Sequence, residues 1–256
     1  MGSFLRDQRL LAALRLRGAA QPEVVSASRA FGETSVRVQA DSPEALSRAV
    51  SEILLCRVQL EEYLAFNPRF QYSLEPVDVD AAAPEVVKRM AGAAFAASVG
   101  PMAAVAGAIA DLAVEAMGQI GAQVRVVENG GEVAAGSLYP VNLEVLSGDP
   151  TIKMRLGFVL LPDRMPIGVG SSSATQGRGI TFGDADVATV FAVNAATADA
   201  AATAVCNAVA DENLQGSIMR GLETAEEIPG VVGALIIRRG HIGTFGDLPE
   251  LVEFKP

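Results

Sequence analysis

The sequence predicts an α+β fold in which helices pack on an antiparallel sheet and the N-terminal part is helical. Three observations carry that reading. Helical periodicity dominates the first part of the chain, and short β-branched runs begin at Val124. The two kinds of segment also come in blocks, whereas a doubly wound fold would alternate them strictly. Half of the 256 residues are hydrophobic, enough to bury one sizeable core. We therefore read 1–256 as a single domain: a hairpin and helices over 1–97, a core over 98–207 and closing elements over 208–256.

Met1 to Arg17 sets Phe4, Leu11, Leu14 and Leu16 at helical spacing among four arginines, the pattern of an amphipathic helix without the apolar run of a secretory signal. Val24 to Ser28 and Ser35 to Val38 read as an antiparallel pair turning at Gly32-Glu33. Asp41-Ser42-Pro43-Glu44 is a helix start, followed by Leu46, Val50, Ile53, Leu54 and Val58 on a helical period that runs past Leu60. Asn67-Pro68 ends that helix. A second helical block begins at Pro84 and runs to about Met117, broken near Gly100-Pro101. Its stretch Met90 to Ala110 carries no acidic or basic residue. It is mostly Ala and Gly, which supply little transfer energy to a bilayer, so it reads as buried helix.

Strands follow at Val124 to Val127, Val133 to Ala135, Val141 to Leu146, Ile152 to Leu161, Ile167 to Val169 and Val187 to Val193. Thr197 to Val209 is Ala-rich and helical, and Val231 to Ile237 with Gly243 to Phe245 forms a closing hairpin.

Charge and rare residues exclude several functions. Twenty basic against thirty acidic residues leave a net charge of −10, which repels nucleic-acid backbones. His241 is the single histidine, and Cys56 and Cys206 the two cysteines, so multi-His and paired CxxC zinc sites are ruled out. A metal here relies on oxygen ligands. Two distant cysteines suit a reducing compartment. No GxGxxG opens a helix after a strand, and no GxSxG elbow accompanies His241.

Four segments can carry chemistry, and each also has a structural reading. In Val105 to Asp111, Gly107 and its alanines admit either a close helix or a flat ligand. In Val126 to Glu132, the Asn129-Gly130-Gly131 run is either a hairpin turn or a set of unobstructed N–H groups beside Glu132. Gly168 to Thr175 reads as a loop whose hydroxyls Ser171, Ser172 and Ser173 hold phosphate, with Arg178 adding a charged fork, or as a solvated loop. Asp199 and Thr203 lie four apart at a helix start, on one face, and together suit Mg²⁺. Alternatively Asp199 offsets the helix dipole and Thr203 packs inward.

In order and spacing these segments resemble the ApbE superfamily, the FAD:protein FMN transferases, over roughly residues 98–207. Ala108-Ile109-Ala110-Asp111-Leu112-Ala113-Val114-Glu115 is similar to that superfamily's Gly-Ile-Ala-Lys-Gly-Tyr-Ala-Val-Asp segment, and Glu128-Asn129-Gly130-Gly131-Glu132 to its Asn-x-Gly-Gly-Asp. Gly170 to Ser173 resembles its serine loop, and Ala198-Asp199-Ala200-Ala201-Ala202-Thr203-Ala204 its Ala-Asp-Ala-x-Ala-Thr-Ala helix start. The unbroken Pro-Met-Ala-Ala-Val-Ala-Gly-Ala-Ile-Ala, Val-Glu-Asn-Gly-Gly and Gly-Val-Gly-Ser-Ser-Ser look like the uncharacterised cytosolic branch.

The resemblance implies an ApbE-like fold and Mg²⁺ held by Asp199, Thr203 and the carbonyl of Ala108. It further implies FAD as ligand or substrate, contacted by Gly107, Asn129, Gly130, Gly131 and Ser171 to Ser173, with chemistry at the pyrophosphate that extends to FMN transfer. Two departures from the motif bear on catalysis. Asp111 stands where the superfamily has Lys, and Gly177 to Gly183 offers Arg178 where it has a His-Ile-Ile-Asp-Pro segment. Asp111, Glu132 and Arg178 are then the catalytic candidates, although an arginine stays protonated near neutral pH. The expected partners are a small-molecule nucleotide and an intracellular protein acceptor, with neither nucleic acid nor membrane, and the expected location is the cytoplasm. The alternative is a protein that holds a nucleotide or pterin-like ligand without chemistry.

Overall fold

Strands β1 (Val25–Phe31) and β2 (Thr34–Ala40) pair antiparallel from Val25↔Ala40 to Phe31↔Thr34, the predicted hairpin with longer arms. The computed structural model describes residues 22–31, 34–145, 155–175, 181–210 and 212–254. The helix expected over Met1 to Arg17 and the candidate Arg178 lie outside the described residues.

Ser42 caps α1 (Pro43–Phe66) with its hydroxyl, which accepts the Ala45 N–H at 3.1 Å, and Pro43 occupies the first turn. Ala45, Ala49, Ile53, Cys56 and Leu60 form its buried stripe. A one-turn helix α2 (Pro68–Tyr72) fills the connector, and α3 (Glu85–Ala97) follows. The break at Gly100-Pro101 is a 3₁₀ turn leading into α4 (Val105–Gln119). The span Pro101–Gln119 is long and apolar enough to cross a membrane, yet most of it is buried inside the fold.

β3 (Val124–Asn129), β4 (Glu132–Ser137), β5 (Val141–Val145), β6 (Arg155–Leu160), β7 (Ile167–Ser172) and β8 (Val187–Ala192) come next. They are followed by α5 (Ala195–Ala208), α6 (Leu214–Glu227), β9 (Val231–Arg238), β10 (His241–Gly246) and β11 (Glu250–Phe254). The described strands form a large antiparallel sheet in the order β1-β2-β3-β4-β7-β8-β9-β10 and a small one in the order β11-β6-β5.

Side-chain alternation along the strands makes three layers. Val127, Ala134, Ala188, Val190 and Ile236 face the helices. Their neighbours Val126, Val133, Ala135, Val187 and Ile237 face the small sheet, which contributes Phe158 and Leu160. Strands buried on both faces read as continuous apolar runs, as β8 does.

Besides the one-turn α2, two elements are absent from the sequence reading. α6 buries Ser217, Ile218, Gly221 and Ala225, with Leu222 against the core, an amphipathic face at helical spacing that the sequence reading passed over. β11 becomes a strand by pairing with β6 from Glu250↔Val159 to Phe254↔Arg155. A third correction concerns Gly168 to Thr175: most of this stretch is strand β7, paired with β8 from Gly168↔Ala192 to Ser172↔Ala188.

α5 is alanine-rich because other backbones lie directly on it. A Cβ at Gly168 would sit 2.1 Å from Asn194 and 2.2 Å from Ala195 backbone atoms, and one at Gly170 2.4 Å from Ala198. Gly168→Ala is therefore expected to destabilise the fold by about 1–3 kcal/mol through overpacking against an unyielding backbone. Thermal melting reads this as a lowered Tm. An unchanged Tm would mean that β7 and α5 can separate freely.

Candidate functional site

The helix-facing ends of α4, the β3–β4 hairpin, β7 and α5 meet at one buried cluster. At the start of α4, Gly107 lies against α5 so closely that a Cβ would stand 2.2 Å from the Ala195 carbonyl oxygen. This lets the Gly107 N–H donate to Asp199 Oδ2 at 2.9 Å across 92 residues of sequence, and the Ala106 N–H bonds the same carboxyl. These are N–H groups of a first helical turn, which have no intrahelical partner and carry partial positive charge.

Asn129, Gly130, Gly131 and Glu132 form the tight hairpin. Gly130 and Gly131 adopt φ of 69° and 117°, which suits glycine. Asn129 Nδ2 donates to the Ala106 carbonyl at 3.0 Å, tying the hairpin to the same turn of α4 that bonds Asp199. Glu132 opens β4 on the helix-facing side, where its carboxyl comes within hydrogen-bonding reach of Asp199 and of the Ser171 N–H. A Cβ on Gly131 would meet no atom within 4 Å, so the turn borders open space.

Because Ser171 and Ser172 are strand residues, their side chains point to opposite faces. Ser172 shares the α5 side with Gly168 and Gly170. The Ser171 hydroxyl turns to the other side and meets Thr189 Oγ1 at 3.1 Å. Ser173 follows the strand, with its hydroxyl 3.3 Å from that of Thr175. The three hydroxyls therefore do not form one phosphate cradle, which corrects the loop reading. On α5, Asp199 is buried, and Thr203 lies one turn further along, half-buried.

Asp111 takes a part other than the catalytic one expected, while Ala108 lies beside the site. Ala108 is buried inside α4, one residue after the Gly107 that bonds Asp199. Asp111 is buried, and its two carboxyl oxygens accept the N–H groups of Ala195 at 2.8 Å and Ala196 at 2.9 Å. Asn194 caps Thr197 at 2.8 Å. Asp111 thus satisfies the first turn of α5 from a neighbouring helix, with each of its oxygens engaged by one N–H. Sequence spacing alone does not reveal this clamp, because it joins residues 84 positions apart.

Burial dominates the electrostatics. It pushes the Asp111 carboxyl up to about 6, against the favourable N–H groups of Ala196 and Ala195. It pushes Asp199 up to about 7, against the N–H of Gly107 and the hydrogen bond from Glu132. Glu132 is held well above the ordinary carboxyl range, first by burial and then by the negative charge of Asp199. The arrangement is one in which two adjacent carboxyls share a proton or a cation.

A family profile described as AbpE bacteria matches residues 20–228. A UPF0280 protein of Methanocaldococcus jannaschii is 39% identical over 223 residues, 86% of this chain and 90% of the relative. One from Methanothrix thermoacetophila is 43% identical over 220 residues, 86% and 91% of the two chains. Among solved structures, the apo flavinyl transferase ApbE of Pseudomonas stutzeri superposes with a TM-score of 0.57 at 15% identity, over 88% of this chain and 95% of its own. The ApbE protein of Thermotoga maritima gives 0.58 at 15% identity, over 86% and 96%. At such identity the superpositions establish the fold, which is that of the ApbE proteins.

Proposed function

Since the chain belongs to the AbpE bacteria family, we propose that it binds a flavin nucleotide, FAD, together with Mg²⁺ and acts at the pyrophosphate. The observation that carries this reading is the meeting of sequence-distant motifs. Gly107 reaches Asp199 at 2.9 Å, Asn129 reaches Ala106 at 3.0 Å, and Glu132 reaches Asp199.

The donors fit a hard divalent cation. They are oxygens, two are carboxyls side by side, and Glu132 Oε2 is buried without a hydrogen-bond partner. Among the described residues no three His, Cys, Asp or Glu side chains gather as a metal site. Asp199 and the Thr203 hydroxyl would therefore hold Mg²⁺, with its remaining positions left to water and phosphate. When bound, the ion would supply neutralisation of the developing phosphate charge. Gly107 and Ala106 orient Asp199 by their N–H groups, Asn129 fixes that turn, and Gly131 leaves room beside it.

In a transfer step the acceptor oxygen would bond the flavin-side phosphorus, the bridging P–O bond would break, and AMP would depart. The acceptor's proton needs a base, and the described residues leave few. Asp111 is committed to α5, Glu132 to Asp199, and His241 is exposed on β10 with Nδ1 3.1 Å from the Arg239 carbonyl. A positioned base contributes about 10²–10⁴ in rate. We therefore expect FAD to bind but FMN transfer to threonine to be slow, and these committed carboxyls also favour the second reading, a cytoplasmic holder of a nucleotide.

Calorimetry with FAD and with ADP, with and without Mg²⁺, tests the first part. Binding heat should appear only with the metal, and no heat with FAD in any condition would overturn the reading. Mass spectrometry of a threonine acceptor peptide, standing for an intracellular protein partner, tests the second. Rapid gain of one FMN mass would show an ordinary transferase.

A further inference from the structure

The sequence-derived ligand set is Asp199, Thr203 and the Ala108 carbonyl, and the fold delivers a carboxyl that the set lacks. Glu132 is 9% exposed, and its Oε2 has no hydrogen-bond partner although it is buried in a polar cluster. Leaving a buried acceptor unsatisfied costs about 1–3 kcal/mol, and more for a charged group, so a protein that keeps one at this place has a use for it.

The placement of Glu132 does not depend on α5. The two-glycine turn and its β4 pairing with β7 (Val133↔Val169) set its backbone, and the Asn129 bond to Ala106 anchors the turn. Asp199 arrives from the other side on α5, held by Gly107. Two carboxyls, each tied to the first turn of α4, converge, with the Ser171 N–H beside one and the Gly107 N–H beside the other.

We propose that Glu132 is a direct ligand of the divalent cation alongside Asp199. This rests on the reading of Asp199 as the metal-holding carboxylate. Two carboxylates and a hydroxyl form a hard-oxygen set that suits Mg²⁺ or Mn²⁺. A metal ligand of this kind has a distinctive signature. Removing its carboxylate weakens metal binding without lowering the melting temperature of the metal-free protein, whereas a residue kept only for folding gives the reverse.

The test is Mn²⁺ binding to the full chain without nucleotide, followed by the electron paramagnetic resonance of free Mn²⁺, together with melting of the metal-free protein at pH 8. Glu132→Gln is expected to bind Mn²⁺ at least about tenfold more weakly and to melt no lower than the parent. Asp199→Asn serves as the reference. If Asp199→Asn loses Mn²⁺ while Glu132→Gln stays within twofold of the parent, Glu132 is no ligand and the inference falls alone. If neither substitution changes Mn²⁺ affinity, the reading of the whole site falls with it. Should Glu132→Gln fail to fold, Glu132→Asp keeps the charge but shortens the reach. Weakened Mn²⁺ binding in that variant supports the assignment, and parental affinity overturns it.

Discussion

Asp111→Ala is expected to destabilise the protein by roughly 2–5 kcal/mol. The substitution strips two buried N–H groups, those of Ala195 and Ala196, of their acceptors, and each such loss costs about 1–3 kcal/mol. Asp111→Asn should be little better, because its amide can accept from one N–H and must turn a donor toward the other. Asp111→Lys, carrying the residue of the transferase motif, should be the worst, since it buries a cation at the positive end of α5. Denaturant unfolding of the three variants checks the order. A stability loss under about 0.5 kcal/mol for the alanine variant would mean that water or a shifted Asn194 replaces the clamp. Because the clamp sets the start of α5 one turn before Asp199, Mn²⁺ affinity should fall with stability in the same variants.

Stability should also fall as pH rises from about 5 to 8 in the absence of divalent metal. Asp111 is pushed up to about 6, Asp199 up to about 7, and Glu132 is raised as well, all by burial first. A group whose folded pKa lies above its unfolded value contributes stability that is fully present below the unfolded value and is lost as pH rises through the folded one. For Asp111 and Asp199 the window therefore opens near pH 4 and closes at about 7, at roughly 1 kcal/mol per group for each pH unit within it, and Glu132 acts in the same direction. Glu85, held low by its hydrogen bond to Lys88, acts in the opposite sense but only in the more acid range. Calorimetric melting at pH 5, 6, 7 and 8 should show a declining Tm, and Mg²⁺ should restore most of it at pH 8. A Tm that rises across this window without metal would contradict the raised carboxyls. Glu132→Gln should flatten the decline.

Local signals in the sequence were sufficient for most of the fold. Ser42-Pro43 caps a helix wherever it stands, two adjacent glycines after Asn129 demand a turn, and β-branched runs such as Val187 to Ala192 suit a pleated surface. Such preferences act over a few residues, so they are visible without neighbours. α6 was legible too, since Ile218, Leu222 and Ala225 recur at helical spacing, but the small residues Ser217 and Gly221 on the same buried face obscure the stripe.

At the site, the sequence determined which residue types come forward and in what order: Gly107, Asn129, Glu132 and Asp199 were all among the candidates. It did not determine their tasks. Asp111 and Asp199 read alike as carboxylates near helix starts, yet one has both oxygens bound by the first turn of α5, while the other faces a second carboxyl. Ser171 to Ser173 read as three equivalent hydroxyls until pairing with β8 sent Ser171 and Ser172 to opposite faces. Pairing register, the side of a strand and the partner of a buried carboxyl are all set by contacts between residues tens of positions apart. Burial then decides which carboxyls hold a proton, and burial belongs to the packed molecule, since no local stretch of sequence carries it.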